Sequence, residues 1–465
     1  MSSAVEAVAV PTETDGSTAP GAGARIAPEL LGGALGALTT AVYLIGAGRT
    51  FGFDAAVTFG NWVATPSLWD AFGRSRGFDG APIAYAAPND QVLISLLSHV
   101  IYSITGSHDE VAYRLLPAIA AGLTVGFMVA LLVRRFGRLA GVSAGLFIAT
   151  DPIFVEQSRE LRGYSTMALF AVLSTLMLDG YPTRKRRLLY GVFLAAAIAA
   201  QSFAVLLILG HLLLLSVRNR PALRSFAPAG LLGGLSGLAI NTRVVAIELS
   251  SHALARAFHP SFPWELVWYT LGTYSVVSVG LWLGVAALGI WALRGEKWLW
   301  WLAGGLGGTV LLLWLVVQPP VLFPRFFIYL VPASAYLMAA AVKRWWVLAP
   351  LVVLGAGFAA VSQAHYYATD QLPLHQVAHV IARTHADGGR ACVLRGDEKV
   401  VHAYSSAFVT VSSSKELPSC QTVVVVTGDA DATLRDIAVR EFPVHHQLQA
   451  IYPTLVLTRD SQTYR

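Results

Sequence analysis

The chain has 465 residues, of which 55% are hydrophobic and only 13% charged, against about 25% charged in an ordinary soluble domain. Its formal net charge is +6, but the basic residues fall in short clusters between apolar runs and not on one stripe, which argues against nucleic-acid binding. Six stretches carry no charge at all (30–48, 115–133, 188–217, 268–293, 298–324 and 345–364), and one compact soluble core cannot account for so many. Roughly 20 apolar residues cross a hydrocarbon layer about 30 Å thick, so each stretch can span a membrane.

In chain order, residues 1–28 are rich in Ala, Gly, Ser, Thr and Pro and read as a disordered cytoplasmic leader. The first apolar run begins only near Leu30, so no cleavable signal peptide is expected. Five basic clusters follow: Arg134, Arg135 and Arg138; residues 184–187; Arg218, Arg220 and Arg224; Arg294 and Lys297; Lys343 and Arg344. Placing all five on the cytoplasmic side satisfies the positive-inside rule. That choice predicts an all-α polytopic membrane protein with about eleven transmembrane helices, the N-terminus inside and the C-terminus outside. The spans are expected near 29–48, 114–133, 139–155, 163–179, 188–200, 202–217, 226–242, 274–293, 298–317, 326–342 and 345–363, which places a transmembrane domain over 29–363. Gln201-Ser202 is the sole break between the fifth and sixth.

External loops are then expected at 49–113 and 243–273. Residues 91–104 form a short apolar stretch interrupted by Ser98 and His99, which suits a helix lying in the interface. The Trp-rich stretch 264–269 suits the aromatic belt. The tail 364–465 changes character: helical spacing over 373–385 and 432–440 alternates with strand-like runs at 392–394, 408–411, 422–426 and 454–457. A small C-terminal extracytoplasmic α/β domain is predicted there. No internal repeat is evident.

Ionisable groups at membrane depth are candidates for function by default. Asp54 lies just beyond the first span, where it can serve as a general base on a hydroxyl or as the N-cap of a helix starting at Ala55. Arg159 and Arg162 are three apart, so on a helix they share a face and can grip one phosphate; Glu156 and Glu160 can equally neutralise them. Arg325 is flanked by apolar residues with no acid within ten positions, which suits either an anionic lipid phosphate or snorkelling to the interface. His252 and His259 lack metal-ligand spacing, and neither a phosphate-binding Gly-rich loop, a G-x-S-x-G elbow nor a zinc pattern is present. The glycines follow small-residue helix packing.

Three stretches together resemble the GT-C superfamily, in the branch of dolichyl-phosphate-mannose protein mannosyltransferases and bacterial lipid A aminoarabinose transferases. The first is the early external acid, Asp54. The second runs from Pro88-Asn89-Asp90-Gln91 through Tyr113-Arg114-Leu115-Leu116-Pro117 and Arg134-Arg135-Phe136-Gly137-Arg138 to Ser158-Arg159-Glu160-Leu161-Arg162-Gly163-Tyr164. The third is Pro324-Arg325-Phe326-Phe327 with Val331-Pro332. The likeness covers roughly 30–345. Two departures bear on the acceptor: Ala55 follows Asp54 where the family often has an Asp-Glu pair, and Asn89-Asp90-Gln91 replaces His-Pro-Pro or Asn-Asn-His.

The resemblance implies inverting transfer of a sugar from a polyprenyl-phosphate carrier to a glycan, lipid or protein hydroxyl, on the outer face of a bacterial plasma membrane. Asp54 would be the base, and Arg325 with Arg159 or Arg162 would hold the departing phosphate. Asn89, Asp90, Glu156 and Tyr164 are expected to line the pocket, with no metal or other cofactor. A protein O-mannosyltransferase and a non-enzymatic lipid-linked sugar flippase or transporter are the competing readings.

The two cysteines of the chain, Cys392 and Cys420, both fall in the tail at the starts of strand-like runs. Neighbouring parallel strands and an oxidising compartment would let them pair; two buried free thiols are the alternative.

Overall fold

A computed structural model describes residues 27–73, 89–179, 181–218, 220–242, 246, 258–270, 276–296, 307, 310–311, 313–317, 323–363, 372–395, 397–426, 432–448 and 454–459. Most of the leader, Pro88, most of the 243–273 loop and most of the ninth expected span lie outside the described residues.

Helices occupy the other expected span positions, and their ends follow local chemistry. Pro28 opens Pro28–Tyr43, where a missing N–H costs nothing. Asp109 caps Glu110–Phe136 by accepting from the Val111 N–H at 3.0 Å, and Gly137 at φ +95° ends it. Arg138–Thr150 stops at Asp151, whose carboxylate caps Pro152–Ser158 through the Phe154 N–H at 2.9 Å, and the chain bends there by 59°. Among the described residues, Tyr164–Leu178, Arg184–Ala200, Leu206–Arg218, Arg220–Ile240, Val276–Ala292, Leu330–Arg344 and Leu348–Ser362 also belong to the bundle.

Glycines set a close crossing between the first helix and Glu110–Phe136. A methyl on Gly36 would sit 2.6 Å from the Gly122 carbonyl oxygen, and one on Gly32 would sit 2.4 Å from that of Gly126. Only bare backbones can approach so nearly, which is how helices associate where lipid supplies no hydrophobic drive. Outward, Leu232, Leu354 and Val361 expose 67–75% of their surface, a pattern suited to hydrocarbon. Among the described residues, Glu110–Phe136 and Arg220–Ile240 are long and apolar enough to cross a bilayer, and Arg138–Ser158 joins them if the bent pair is one span. The protein is thus a largely helical membrane protein.

The tail folds as a helix–sheet–helix sandwich. Its strands are β1 (Ala391–Leu394), β2 (Val409–Val411), β3 (Thr422–Val425), β4 (Val444–Leu448) and β5 (Thr454–Thr458), in the order β2-β1-β3-β5-β4. β1 runs parallel to β2 and β3, while β5 runs antiparallel to β3 and β4. Alternate side chains face opposite layers, as strand geometry requires. Val393, Val424 and Val456 pack under helix Leu374–Ala386, and Leu394, Val423 and Leu457 pack under helix Ala432–Glu441. The first of these layers is continuous with Phe51, Ala55, Phe59 and Tyr113 of the external loop, so tail and loop share one core. β4 was not expected from the sequence: Val-His-His-Gln-Leu has little apolar alternation, because an edge strand half faces water.

Cys392 and Cys420 are bonded to each other with their Cα atoms 5.9 Å apart, 28 positions apart in sequence, across the parallel β1–β3 pair. A closure of that length stabilises the tail by about 3–4 kcal/mol on the chain-entropy account. Alkylation of the unfolded, unreduced protein should therefore label no thiol by mass spectrometry; two labelled thiols would contradict the bond.

Candidate active site

The site is built on an irregular turn, within which the Ala47 N–H donates to Leu44 and the Arg49 N–H to Gly46. Residues 44–52 link Pro28–Tyr43 to the short helix Phe53–Thr58, and two buried arginines hold their carbonyls. Arg114 donates through Nη1 to Ala47 at 2.6 Å and also to Arg49, and through Nη2 to Thr50 at 2.9 Å. Its Nε donates to the Arg159 carbonyl at 2.8 Å, and Glu160 lies 3.5 Å away to balance its charge. Glu160 in turn accepts from the Gly52 N–H at 3.2 Å. A guanidinium so deeply buried is tolerable because its donors and charge are matched.

Arg159 is part of this scaffold. Its Nε and Nη2 donate to the carbonyls of Tyr43 at 3.2 Å and Ile45 at 2.5 Å. The shared-face expectation fails because helix Pro152–Ser158 ends at Arg159, and the chain bends through 159–163 before the next helix. Arg162 consequently points elsewhere.

Asp54 does not cap its helix. Gly52 occupies the N-cap position, with no side-chain cap, and the Asp54 carboxylate instead meets Arg325 Nη1 at 3.0 Å and Arg162 Nη2 at 3.8 Å. Burial alone would raise its pKa. The charges of Arg162 and Arg325, with the Arg325 hydrogen bond, outweigh burial and hold the carboxyl below its ordinary value. The Asp54 side chain is still 40% exposed, so a reactant can reach it.

Arg162 also donates to Thr58 Oγ1 at 3.4 Å and to the Tyr164 hydroxyl at 3.3 Å, and stacks over the Tyr164 ring. Arg325 lies over the Phe323 ring, in a short turn, Pro324–Phe327. The anionic partner that Arg325 lacks in sequence is supplied by the fold: it is Asp54. Asp54, Arg162 and Arg325 therefore meet from three distant parts of the chain.

The expected pocket residues divide. Tyr164 is fully buried and contacts Arg162 directly, while Glu156 is exposed and close enough to interact electrostatically with Arg325 and Asp54. Asp90 interacts with Arg162 and accepts from Gln201 Nε2 at 3.0 Å. Asn89 is structural: its amide donates to the Ala71 carbonyl at 2.7 Å and accepts from the Gln91 N–H at 3.1 Å. Sequence reasoning gave no role to Gln201, though it is a polar break in an otherwise apolar run, nor to Phe203, which stacks on Phe326 at 4.4 Å between centroids. Among the described residues no cluster of His, Cys, Asp or Glu is arranged to hold a metal.

Gly163 fixes where Arg162 sits. Its N–H donates to Gln91 Oε1 at 2.6 Å, and a methyl on it would lie 2.0 Å from the Ala200 carbonyl oxygen. Gly163→Ala should thus destabilise the protein by about 1–3 kcal/mol, whereas Gly60→Ala, with nothing within 4 Å, should be neutral to within about 0.5 kcal/mol. Thermal unfolding midpoints check the contrast; equal midpoints would contradict it.

Residues 90–247 match the family model described as dolichyl-phosphate-mannose-protein mannosyltransferase. Among solved structures, the chain is similar to ArnT from Cupriavidus metallidurans in the apo state, at a TM-score of 0.62 and 12% identity, covering 92% of this chain and 98% of that one. It is also similar to the same protein bound to undecaprenyl phosphate, at a TM-score of 0.62 and 13% identity, covering 93% of this chain and 98% of that one. Sequence comparison with curated proteins gives no match. The chain therefore has the fold of ArnT, and its segment 90–247 carries the sequence pattern of the mannosyltransferase family model.

Proposed function

We propose that this protein is a membrane glycosyltransferase that moves a sugar from a polyprenyl-phosphate donor to an acceptor hydroxyl, in cell-envelope glycan or glycolipid synthesis. The observation that carries the reading is the accessible Asp54 carboxylate held between Arg162 and Arg325. The undecaprenyl phosphate bound by the structurally similar ArnT supports the choice of carrier.

The residues divide the work as follows. The acceptor oxygen attacks the anomeric carbon, and the bond from that carbon to the phosphate oxygen breaks with inversion. Its electron pair leaves on the phosphate, while the hydroxyl proton passes to Asp54. Arg325 and Arg162 stabilise the charge growing on the phosphate, as guanidinium forks suit phosphate geometry. Donor phosphate competes with Asp54 for the Arg325 fork, so binding the donor loosens the clamp that lowers the Asp54 pKa and makes the carboxylate a better base. Arg159 has no part in this step.

In this reading the reaction takes place at the outer face of a bacterial plasma membrane, with eleven spans, a cytoplasmic N-terminus and the tail outside. Labelling of introduced cysteines from outside should reach Ser412→Cys and spare Thr183→Cys; labelling of both would break the topology. The protein needs no metal here, so turnover should survive excess chelator, and a loss reversed by a divalent cation would contradict that.

The direct test is an assay of purified protein with a panel of polyprenyl-phosphate sugars, scoring release of phosphate lipid. Asp54→Asn should abolish release while the fold persists, and wild-type turnover by that variant would remove Asp54 as base. Arg325→Ala should raise the donor KM more than Arg325→Lys, which keeps the charge but loses the fork. Movement of intact donor across vesicles without phosphate-lipid release would favour the flippase.

A further inference from the structure

The loop that carries Asp54 is gripped on one side by the membrane bundle, through Arg114 and Glu160, and on the other by the tail. Three tail residues make the second grip. Tyr404, in the turn after the helix Glu398–Val401, places its hydroxyl between the Phe51 N–H at 2.7 Å and Glu110 Oε1 at 2.8 Å. A phenol has one hydrogen to give and can accept another, so it accepts from Phe51 and donates to Glu110. Thr50 Oγ1 donates to the Leu372 carbonyl, and His375 Nε2 lies 3.0 Å from the same Glu110 oxygen. The Phe51 ring meets the Tyr404 ring edge-on at 6.4 Å between centroids.

These contacts end at Phe51, and Asp54 sits in the first turn of the helix that begins two residues later. Every atom between them is backbone or part of that turn, so a shift at Phe51 is passed to the Asp54 carboxylate with little loss. The carboxylate lies 3.0 Å from Arg325, a distance that tolerates little movement before the pairing fails. The hydroxyl adds something packing alone would not: Tyr404→Phe would keep the ring contact but leave the Phe51 N–H without its partner and Glu110 with His375 alone.

We propose that the tail acts as a positioning element for the reaction, with Tyr404 the residue that holds Asp54 in register through the Phe51 N–H. This rests on the reading of Asp54 as the base. It gives the sheet-bearing tail a part in turnover that a mere cap on the bundle would not have.

The test uses the full chain in nanodiscs and the Tyr404→Phe variant. Hydrogen exchange over residues 50–56 should accelerate, and kcat should fall roughly tenfold while the donor KM stays within about twofold, because the phosphate grip is untouched. Thr50→Ala, which removes the neighbouring tether, should shift kcat in the same direction and decides the matter if Tyr404→Phe fails to fold. Unchanged exchange in both variants, or faster exchange with unchanged kcat, overturns the proposal. A donor KM that rises in step with the kcat loss also overturns it, since that marks general damage. Failure of the wild-type protein to release phosphate lipid from any donor sinks the glycosyltransferase reading instead, and the exchange measurement still decides whether Tyr404 fixes the loop.

Discussion

The fold around the site depends on satisfying the backbone of one irregular turn at the edge of the membrane. Residues 43–50 leave carbonyls that no helix can use, and water-poor surroundings make each unmatched one costly. Arg114 and Arg159 answer this with guanidinium forks on Tyr43, Ile45, Ala47, Arg49 and Thr50, and Arg114 ties the two together through the Arg159 carbonyl. Glu160 neutralises Arg114 and accepts from Gly52, closing the arrangement on the residue that starts the Asp54 helix. The same arginines could not serve a ligand without releasing the turn.

That division of labour explains the chemistry left at the surface. Once Arg114 and Arg159 are committed to backbone, Arg162 and Arg325 are the cations that converge on the accessible carboxylate. The bend at 159–163, pinned by Gly163 against Ala200 and by Gln91, turns Arg162 away from the scaffold and toward Asp54. A sharp reversal next to a rigid scaffold is how a fold places a functional side chain with precision.

Much of this was legible in the sequence. Charge-free runs and basic clusters placed the helices, since burial in lipid leaves so plain a compositional mark. The alternation of the tail revealed the helices Leu374–Ala386 and Ala432–Glu441 and four of its strands; the short helix Glu398–Val401 gave no periodic signal, and β4 escaped because its outward face is polar. The three ionic residues that meet were all singled out, yet their partnership was invisible: Asp54 and Arg325 are joined only by the tertiary fold, and an Asp before a helical run equally suits a cap. The shared face of Arg159 and Arg162 did not form because a three-residue spacing is meaningful only on a continuous helix, and the helix ends there. Arg114 stood in the recognised pattern without a role, because a buried arginine serving backbone carbonyls has no spacing signature.

The central claim is that Arg325 and Arg162 receive the phosphate of a polyprenyl donor beside Asp54. A structure of this protein with undecaprenyl phosphate bound tests it most directly. The account predicts phosphate oxygens within hydrogen-bonding distance of the Arg325 guanidinium, with Asp54 drawn away from Arg325 relative to its present 3.0 Å and Arg114 and Arg159 still on their carbonyls. A phosphate seated elsewhere, with the Asp54–Arg325 pair intact, would contradict it.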